Sequence, residues 1–237
     1  MKRTHDTFYA AEARRGTVKD IFRVIADNIE NFADDRALEI GDIGCATGDL
    51  PFYLAARFPA CSVTGYEYLD SLLTTAREVY PEIAFAQADI TRRDSLGDAS
   101  HDVLTVAGVI SIFDDVEPVL DNLLHWVRPG GRVLVMGMFN PHDLDVYVKY
   151  KASGDAVEDG LESGWNIVSQ ASVGAMLDRR GVTDYRFHPF EIGVDLAPRA
   201  DDPVRSWTEM DAAGRRHIFN GLNLRQPFHL LEITRPA

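Results

Sequence analysis

One pattern recurs between residues 37 and 138: a short apolar run, a turn, then a stretch with helical spacing. Residues 37–43 read as a buried strand that ends in Gly44-Cys45-Ala46-Thr47-Gly48, and a helix follows over 49–58. Residues 61–67 read as a second strand, 71–79 as a second helix, 83–88 as a third strand and 101–107 as a fourth. A helix over 117–127, the break Pro129-Gly130-Gly131 and a fifth strand over 132–138 complete the series. Strands joined by crossover helices lie parallel and are covered on both faces. The expected fold class is therefore α/β, a doubly wound, mostly parallel sheet.

The flanks are less regular. Thr17-Val18-Lys19-Asp20 resembles a capping box, opening a helix with Ile21, Phe22, Ile25, Ile29 and Phe32 on one face. Residues 169–180 read as a helix stopped by Gly181, and 185–194 with 228–234 as strands that add an antiparallel hairpin at the sheet edge. Two stretches, 141–165 and 197–226, show no clear period, and loops of that length in a compact domain are usually functional or disordered. The length, 237 residues, suits one domain over 1–237 with inserted loops.

Charge and cysteines exclude several classes. Lys and Arg number 24 against 37 Asp and Glu, a formal net charge of −13, which disfavours binding to nucleic acid or an anionic membrane. Cys45 and Cys61 alone make neither a disulfide framework nor a complete zinc site. The first fifteen residues lack the apolar run of a signal peptide, and the apolar stretch 103–112 falls short of the ~20 residues that span a bilayer. A cytoplasmic address is the default expectation.

The chemistry is expected beyond the carboxyl ends of the strands, where open α/β sheets bind ligands. Small residues at 44, 46 and 48 let a ligand approach the backbone closely. Glu67, nineteen residues beyond Gly48 at the end of the second strand, suits a ribose diol. Asp89, at the end of the third, suits an exocyclic adenine amine. Three such strand ends describe an adenosine site. A dinucleotide would need G-x-G-x-x-G around its pyrophosphate, whereas this loop reads G-x-A-x-G between Asp42 and Asp49. Carboxylates there repel a pyrophosphate and favour an ammonium and a sulfonium. The cofactor so indicated is S-adenosylmethionine (SAM), with S-adenosylhomocysteine as product.

The segments DIGCATGDL, VTGYEYLD with its Glu67, AQADI and HWVRPGGRVLVMG, in this order, resemble the class I SAM-dependent methyltransferase family over residues 37–138. The resemblance implies a seven-stranded sheet whose last strand is antiparallel. It implies that Asp42, Gly44 and the backbone near Cys45, Ala46 and Gly48 hold the methionine part. Glu67 then binds ribose with Tyr68 beside the adenine, Asp89 and Ile90 line the adenine pocket, and Val106, Ala107 and Gly108 lie under the sulfonium. Ala46 stands where many members have a second glycine, and the fourth strand lacks the N-P-P-Y or D-P-P-Y signature of the amino-methylating nucleic-acid and glutamine branch.

Methyl transfer is an in-line displacement, so alignment of the acceptor supplies much of the rate and no dedicated base is obligatory. For an acceptor that must lose a proton, His142 is the candidate base, four residues beyond Met138. The irregular stretches gather basic and aromatic residues, and Tyr147, Trp165, Asn166, Arg205, Trp207 and Asn220 are the candidate acceptor-binding residues, on lid segments. Asp114-Asp115 reads as a helix cap rather than a metal site, and no metal is expected. The expected activity is methylation of O or N on a small polar metabolite, such as a sugar, nucleotide-sugar or carboxylate-bearing compound. The alternatives are a SAM-binding scaffold without chemistry, a methyltransferase acting on protein or tRNA, and a nicotinamide-dependent oxidoreductase. The oligomeric state is not legible.

Overall fold

The structure, a computed structural model, describes residues 18–34 and 36–237. The strands of the first half are β1 (Glu39–Ile43), β2 (Ser62–Glu67), β3 (Ala84–Gln87), β4 (His101–Ala107) and β5 (Val127–Asn140). Helices α1 (Asp20–Ala33), α2 (Asp49–Arg57), α3 (Asp70–Val79) and α4 (Glu117–Trp126) precede or connect them. The second half adds β6 (Lys149–Tyr150), β7 (Glu162–Ser163), β8 (Val168–Ser169), α5 (Gln170–Asp178), β9 (Tyr185–Pro189), β10 (Trp207–Met210), β11 (Arg216–Phe219) and β12 (Phe228–Thr234).

The central sheet runs β3-β2-β1-β4-β5-β12-β9, with β12 antiparallel to both of its neighbours. It is the expected doubly wound sheet, seven strands with one reversed; short β8 adds a parallel pairing to the tip of β5. The expected antiparallel pair of β9 and β12 stands at this edge of the sheet, with β12 inside, between β5 and β9, and β9 outermost. The continuous β12 run Leu230-Leu231, with Ile233, is fully buried, as an interior strand requires.

Alternation along β5 divides the core into two layers. Val133 and Val135 join Leu104, Val106, Leu231 and Ile233 under α4 (Leu120, Leu123, Trp126) and α5 (Val173, Leu177). Leu134 and Met136 join Ile40, Val103 and Leu230 under α1 (Phe22, Ile25, Ile29) and α2 (Leu50, Leu54). Successive side chains of a strand point to opposite faces, so a strand feeding both layers is apolar throughout.

Three local expectations need correction. Helix α1 starts at Asp20 after Lys19, which caps without its side chain, so Asp20 is the first helical residue rather than the third of a capping box; Thr17 lies outside the described residues. Strand β5 starts at Val127, not 132: Pro129-Gly130-Gly131 forms an irregularity against β4, whose register shifts between His101↔Val127 and Val103↔Arg132. Gly130 sits at φ 74° and donates to the Arg235 carbonyl, and a side chain on Gly131 would press on the Asp102 carbonyl at 2.7 Å. Strand β9 ends at Pro189, short of 194.

The two irregular stretches contain short ladders of their own. Strands β6 and β7 pair antiparallel, as do β10 and β11, each as a separate two-stranded sheet. No helix among the described residues is long and apolar enough to cross a membrane.

Candidate functional site

The turn after β1 is built by backbone geometry. The Gly44 and Cys45 amides both donate to the Tyr66 carbonyl of β2, at 2.7 and 3.0 Å, which folds the chain tightly over the strand end. Gly44, Ala46 and Gly48 all take positive φ (75°, 48° and 88°), a region comfortable for glycine and costly for most other residues. A side chain on Gly48 would meet the Phe85 ring at 2.6 Å, so the glycine lets β3 and α2 close around the turn.

Asp42 and Glu67 supply the charge. Asp42 shares a strand face with Ile40, in the apolar layer under α1 and α2, and is only 2% exposed. Its Oδ1 accepts the Thr105 hydroxyl at 2.7 Å. Burial pushes its pKa up to about 7, the Thr105 hydrogen bond opposing the shift and Glu67 adding to it. Glu67 is also buried and accepts three amides: Ala46 to Oε2 at 3.0 Å, and Tyr68 and Leu69 to Oε1 at 2.8 and 3.0 Å. A carboxylate offers about four acceptor sites, so one on Oε2 remains. Cys45 is buried, and that burial, with the Asp42 and Glu67 charges, pushes its thiol up, away from the reactive thiolate.

The remaining predicted cofactor residues occupy neighbouring strand ends. Asp89, beyond β3, accepts the amide and hydroxyl of Thr91 at 2.9 and 2.6 Å, and Ile90 packs into the core. Tyr68 is 60% exposed just past β2. Val106 is buried, Ala107 half-buried, and Gly108, at φ 75°, faces open space with nothing within 4 Å of where a side chain would begin. Open volume at the β4 tip, glycines at the turn, two carboxylates and a spare acceptor on Glu67 fit a cationic adenosine cofactor.

The predicted acceptor residues are not gathered in one place. Asn166 is buried and fully engaged: its Oδ1 accepts the Val148 amide, and its Nδ2 donates to the Phe113 carbonyl and to Asp114. Asp114 also receives Lys149 Nζ at 2.8 Å, so this pair fastens 141–167 to the loop after β4. Asn166 and the exposed Tyr147 line a small cavity of about 170 Å³ together with Asp114, Asp145 and Met176. Trp165 is half-buried and lines neither cavity described here. Arg205 pairs with Asp202 at 3.4 Å, Trp207 donates to Glu209 at 3.1 Å, and buried Asn220 accepts the Leu222 amide at 3.2 Å.

A larger cavity, about 630 Å³, opens beyond the carboxyl ends of β5 and β9 and the start of β12. His142 lines it, exposed, its amide donating to Asn140 Oδ1 at 3.1 Å. So do Arg215, Arg216, His217 and Arg225, from the stretch expected to form a lid, and the buried His229. Asp211 organises the turn between β10 and β11, accepting the Ala213 and Arg215 amides, Arg215 Nε at 2.8 Å and His217 Nε2 at 2.9 Å. The backbone amide of Arg215, the His217 imidazole and the Arg215 guanidinium all hold that carboxyl well below its usual range. The His229 ring donates from Nδ1 to the Pro227 carbonyl and accepts from the Gln170 amide at Nε2; burial lowers its pKa against the opposing Pro227 bond, which favours the neutral ring. The one local mark nearby is that of the hairpin, the turn residues Asp211…Gly214 between the short runs 207–210 and 216–219, and it does not show that the hairpin lines a cavity.

Comparison with known proteins agrees with the geometry. Residues 42–133 match a family described as "Methyltransferase domain". A trans-aconitate 2-methyltransferase of Azoarcus sp. (strain BH72) is 30% identical over 121 residues, 51% of this chain and 47% of that relative. One from Escherichia coli O1:K1 / APEC is 35% identical over 82 residues, 35% of this chain and 29% of its own length. The chain thus spans less than half the length of these curated relatives. Among solved structures, a SAM-bound amino pentose methyltransferase from Micromonospora echinaspora superposes with a TM-score of 0.57 at 17% identity, covering 99% of both chains. An O-methyltransferase family protein from Burkholderia thailandensis gives 0.55 at 13%, covering 92% of this chain and 57% of its own. Such identities speak for the fold alone: the sheet is the one these methyltransferase structures share, and residues 42–133 are similar to a methyltransferase domain.

Proposed function

We propose that the protein transfers the methyl group of SAM to an oxygen or nitrogen of a small polar metabolite. The observation that carries this reading is an arrangement: the strand ends of β1, β2 and β4 form the cofactor fit described above, and the larger cavity opens at the end of the adjacent β5. Residues 37–138 then act as the cofactor platform, and 141–165 with 197–226 as acceptor-binding segments of one domain.

SAM supplies the electrophilic methyl group. The chain's own contribution is binding and alignment. Ionised Asp42 attracts the cationic methionine end, Glu67 offers its remaining Oε2 site to a ribose hydroxyl, and Tyr68, Asp89 and Ile90 flank the adenine. The open face of Gly108 leaves room for the acceptor to approach along one line. His142, at the cavity, takes the proton from an acceptor that must lose one. The relatives' name gives trans-aconitate as acceptor, a small carboxylate-bearing metabolite of the kind this reading requires. The buried, carboxylate-rich cofactor turn and the net charge of −13 do not suit RNA.

Calorimetric titration with SAM, S-adenosylhomocysteine and NAD tests the reading. Binding of the first two in the micromolar range, and none of NAD, is expected. Absence of binding by both SAM and its product overturns it and leaves a scaffold reading.

A further inference from the structure

The larger cavity concentrates positive charge in a chain of net charge −13. Three arginines line it, Arg215, Arg216 and Arg225, against one carboxylate, the exposed Glu191. Two of them are already oriented. Arg215 binds Asp211 at 2.8 Å and Arg216 binds Asp195 at 2.7 Å, each through Nε, and neither aspartate lines the cavity. Among the described residues the terminal nitrogens of these two guanidiniums have no hydrogen-bond partner, and the Arg225 side chain has no hydrogen bond or ion pair at all.

A guanidinium presents paired donors that match a carboxylate or phosphate, and such charge-assisted bonds are about twice as strong as neutral ones. An uncharged sugar would leave most of these donors to water. Cavities of roughly 300–1,000 Å³ hold small molecules, and 630 Å³ falls within that range. The three guanidiniums come from two segments, 215–216 and 225, and together they carry more paired donors than one carboxylate or phosphate can fill. All of them lie outside residues 42–133, the part matched as a methyltransferase domain.

Resting on the methyl-transfer reading for its role, we infer that this cavity is the acceptor subsite and that it selects a small molecule bearing two or more carboxylate or phosphate groups. Arg225 is the specificity-determining residue, and Asp211 is a positioning residue that fixes Arg215 and His217 on the wall.

The test is calorimetric titration of the full chain, with and without saturating S-adenosylhomocysteine, using trans-aconitate and fructose 1,6-bisphosphate as the polyanionic probes and glucose as the neutral one. At least one polyanion is expected to bind, more weakly as salt is raised, and glucose is not. Arg225→Ala is expected to weaken that binding tenfold or more while its unfolding temperature and its affinity for S-adenosylhomocysteine stay at the wild-type values. Asp211→Asn is expected to weaken it as well, and Glu191→Gln to tighten it. Failure of both polyanions to bind a protein that binds S-adenosylhomocysteine overturns the inference, as does equal affinity in Arg225→Ala. Polyanion binding without any binding of S-adenosylhomocysteine overturns the methyl-transfer reading instead, and leaves the anion selectivity standing.

Discussion

Glu67 holds the turn after β1 from the neighbouring strand: its Oε2 accepts the amide of Ala46 at 3.0 Å. Ala46 has φ 48°, a left-handed conformation that alanine adopts at a cost, so the bond from β2 offsets strain in the cofactor turn.

Beside this structural duty Glu67 has the ribose contact proposed for it, and its removal is expected to show both. Glu67→Ala leaves the Ala46, Tyr68 and Leu69 amides without their acceptor, which should cost about 1–3 kcal/mol of stability. Affinity for S-adenosylhomocysteine should fall as well. Denaturant unfolding and calorimetry on the same preparation check the pair; unchanged values in both would mean that the carboxylate holds neither turn nor ribose.

Gly44 is constrained twice, by φ 75° and by Val109, whose Cγ2 occupies the place where a side chain would start. Gly44→Ala is expected to cost about 2 kcal/mol or more. Adding Val109→Ala should recover the steric part and leave the backbone part. A double variant as unstable as the single one would show that the contact with Val109 is irrelevant.

Asp42 makes stability depend on pH in an unusual direction. Its folded pKa, about 7, lies above the ordinary 3.8, so between those values the folded chain keeps a proton that the unfolded chain releases. The contribution is fully present below about pH 4 and is lost as pH rises through 7, by on the order of 4 kcal/mol. Asp42→Asn, which still offers an oxygen to Thr105, should gain stability relative to wild type progressively across that window and level off above it. Unfolding free energies measured at intervals from pH 4 to 8 would show a flat difference if the burial argument fails.

Asn166 is expected to matter for folding more than for catalysis. Its three side-chain hydrogen bonds join 141–167 to the loop after β4, and Asn166→Ala leaves buried partners unmet, at a cost of about 2 kcal/mol. Polyanion affinity in the larger cavity, which Asn166 does not line, should change little; a large drop there with unchanged unfolding temperature would reverse this assignment.

The inner sheet was legible because its strands are buried on both faces: His101–Ala107 and Phe228–Thr234 read from the sequence at the limits the structure shows. Helix α5 was legible from Ser169, whose Oγ accepts the Ser172 amide at 3.0 Å as a cap does. The start of β5 was hidden because Pro129-Gly130-Gly131 has turn chemistry yet continues a strand through an irregularity. The tight turn after β1 was legible through its glycine spacing, because positive φ is a property of local backbone. The larger cavity was not, because Asn140, Phe190, Arg215 and His229 meet only through the antiparallel insertion of β12, a long-range pairing with no local mark. Trp207 and Arg205 stood out by residue type, but their neighbours on the hairpin, not they, face that space.

The hairpin of β10 and β11 pairs with itself and contributes no strand to the central sheet. Changes in its sequence therefore leave the register of β1, β4 and β5 untouched, and with it the turn that holds Asp42 and Glu67. On the acceptor role proposed for 197–226, acceptor preference can drift, or be exchanged by grafting a different segment there, while the proposed cofactor platform stays as it is. The molecule separates what must stay constant from what is free to evolve.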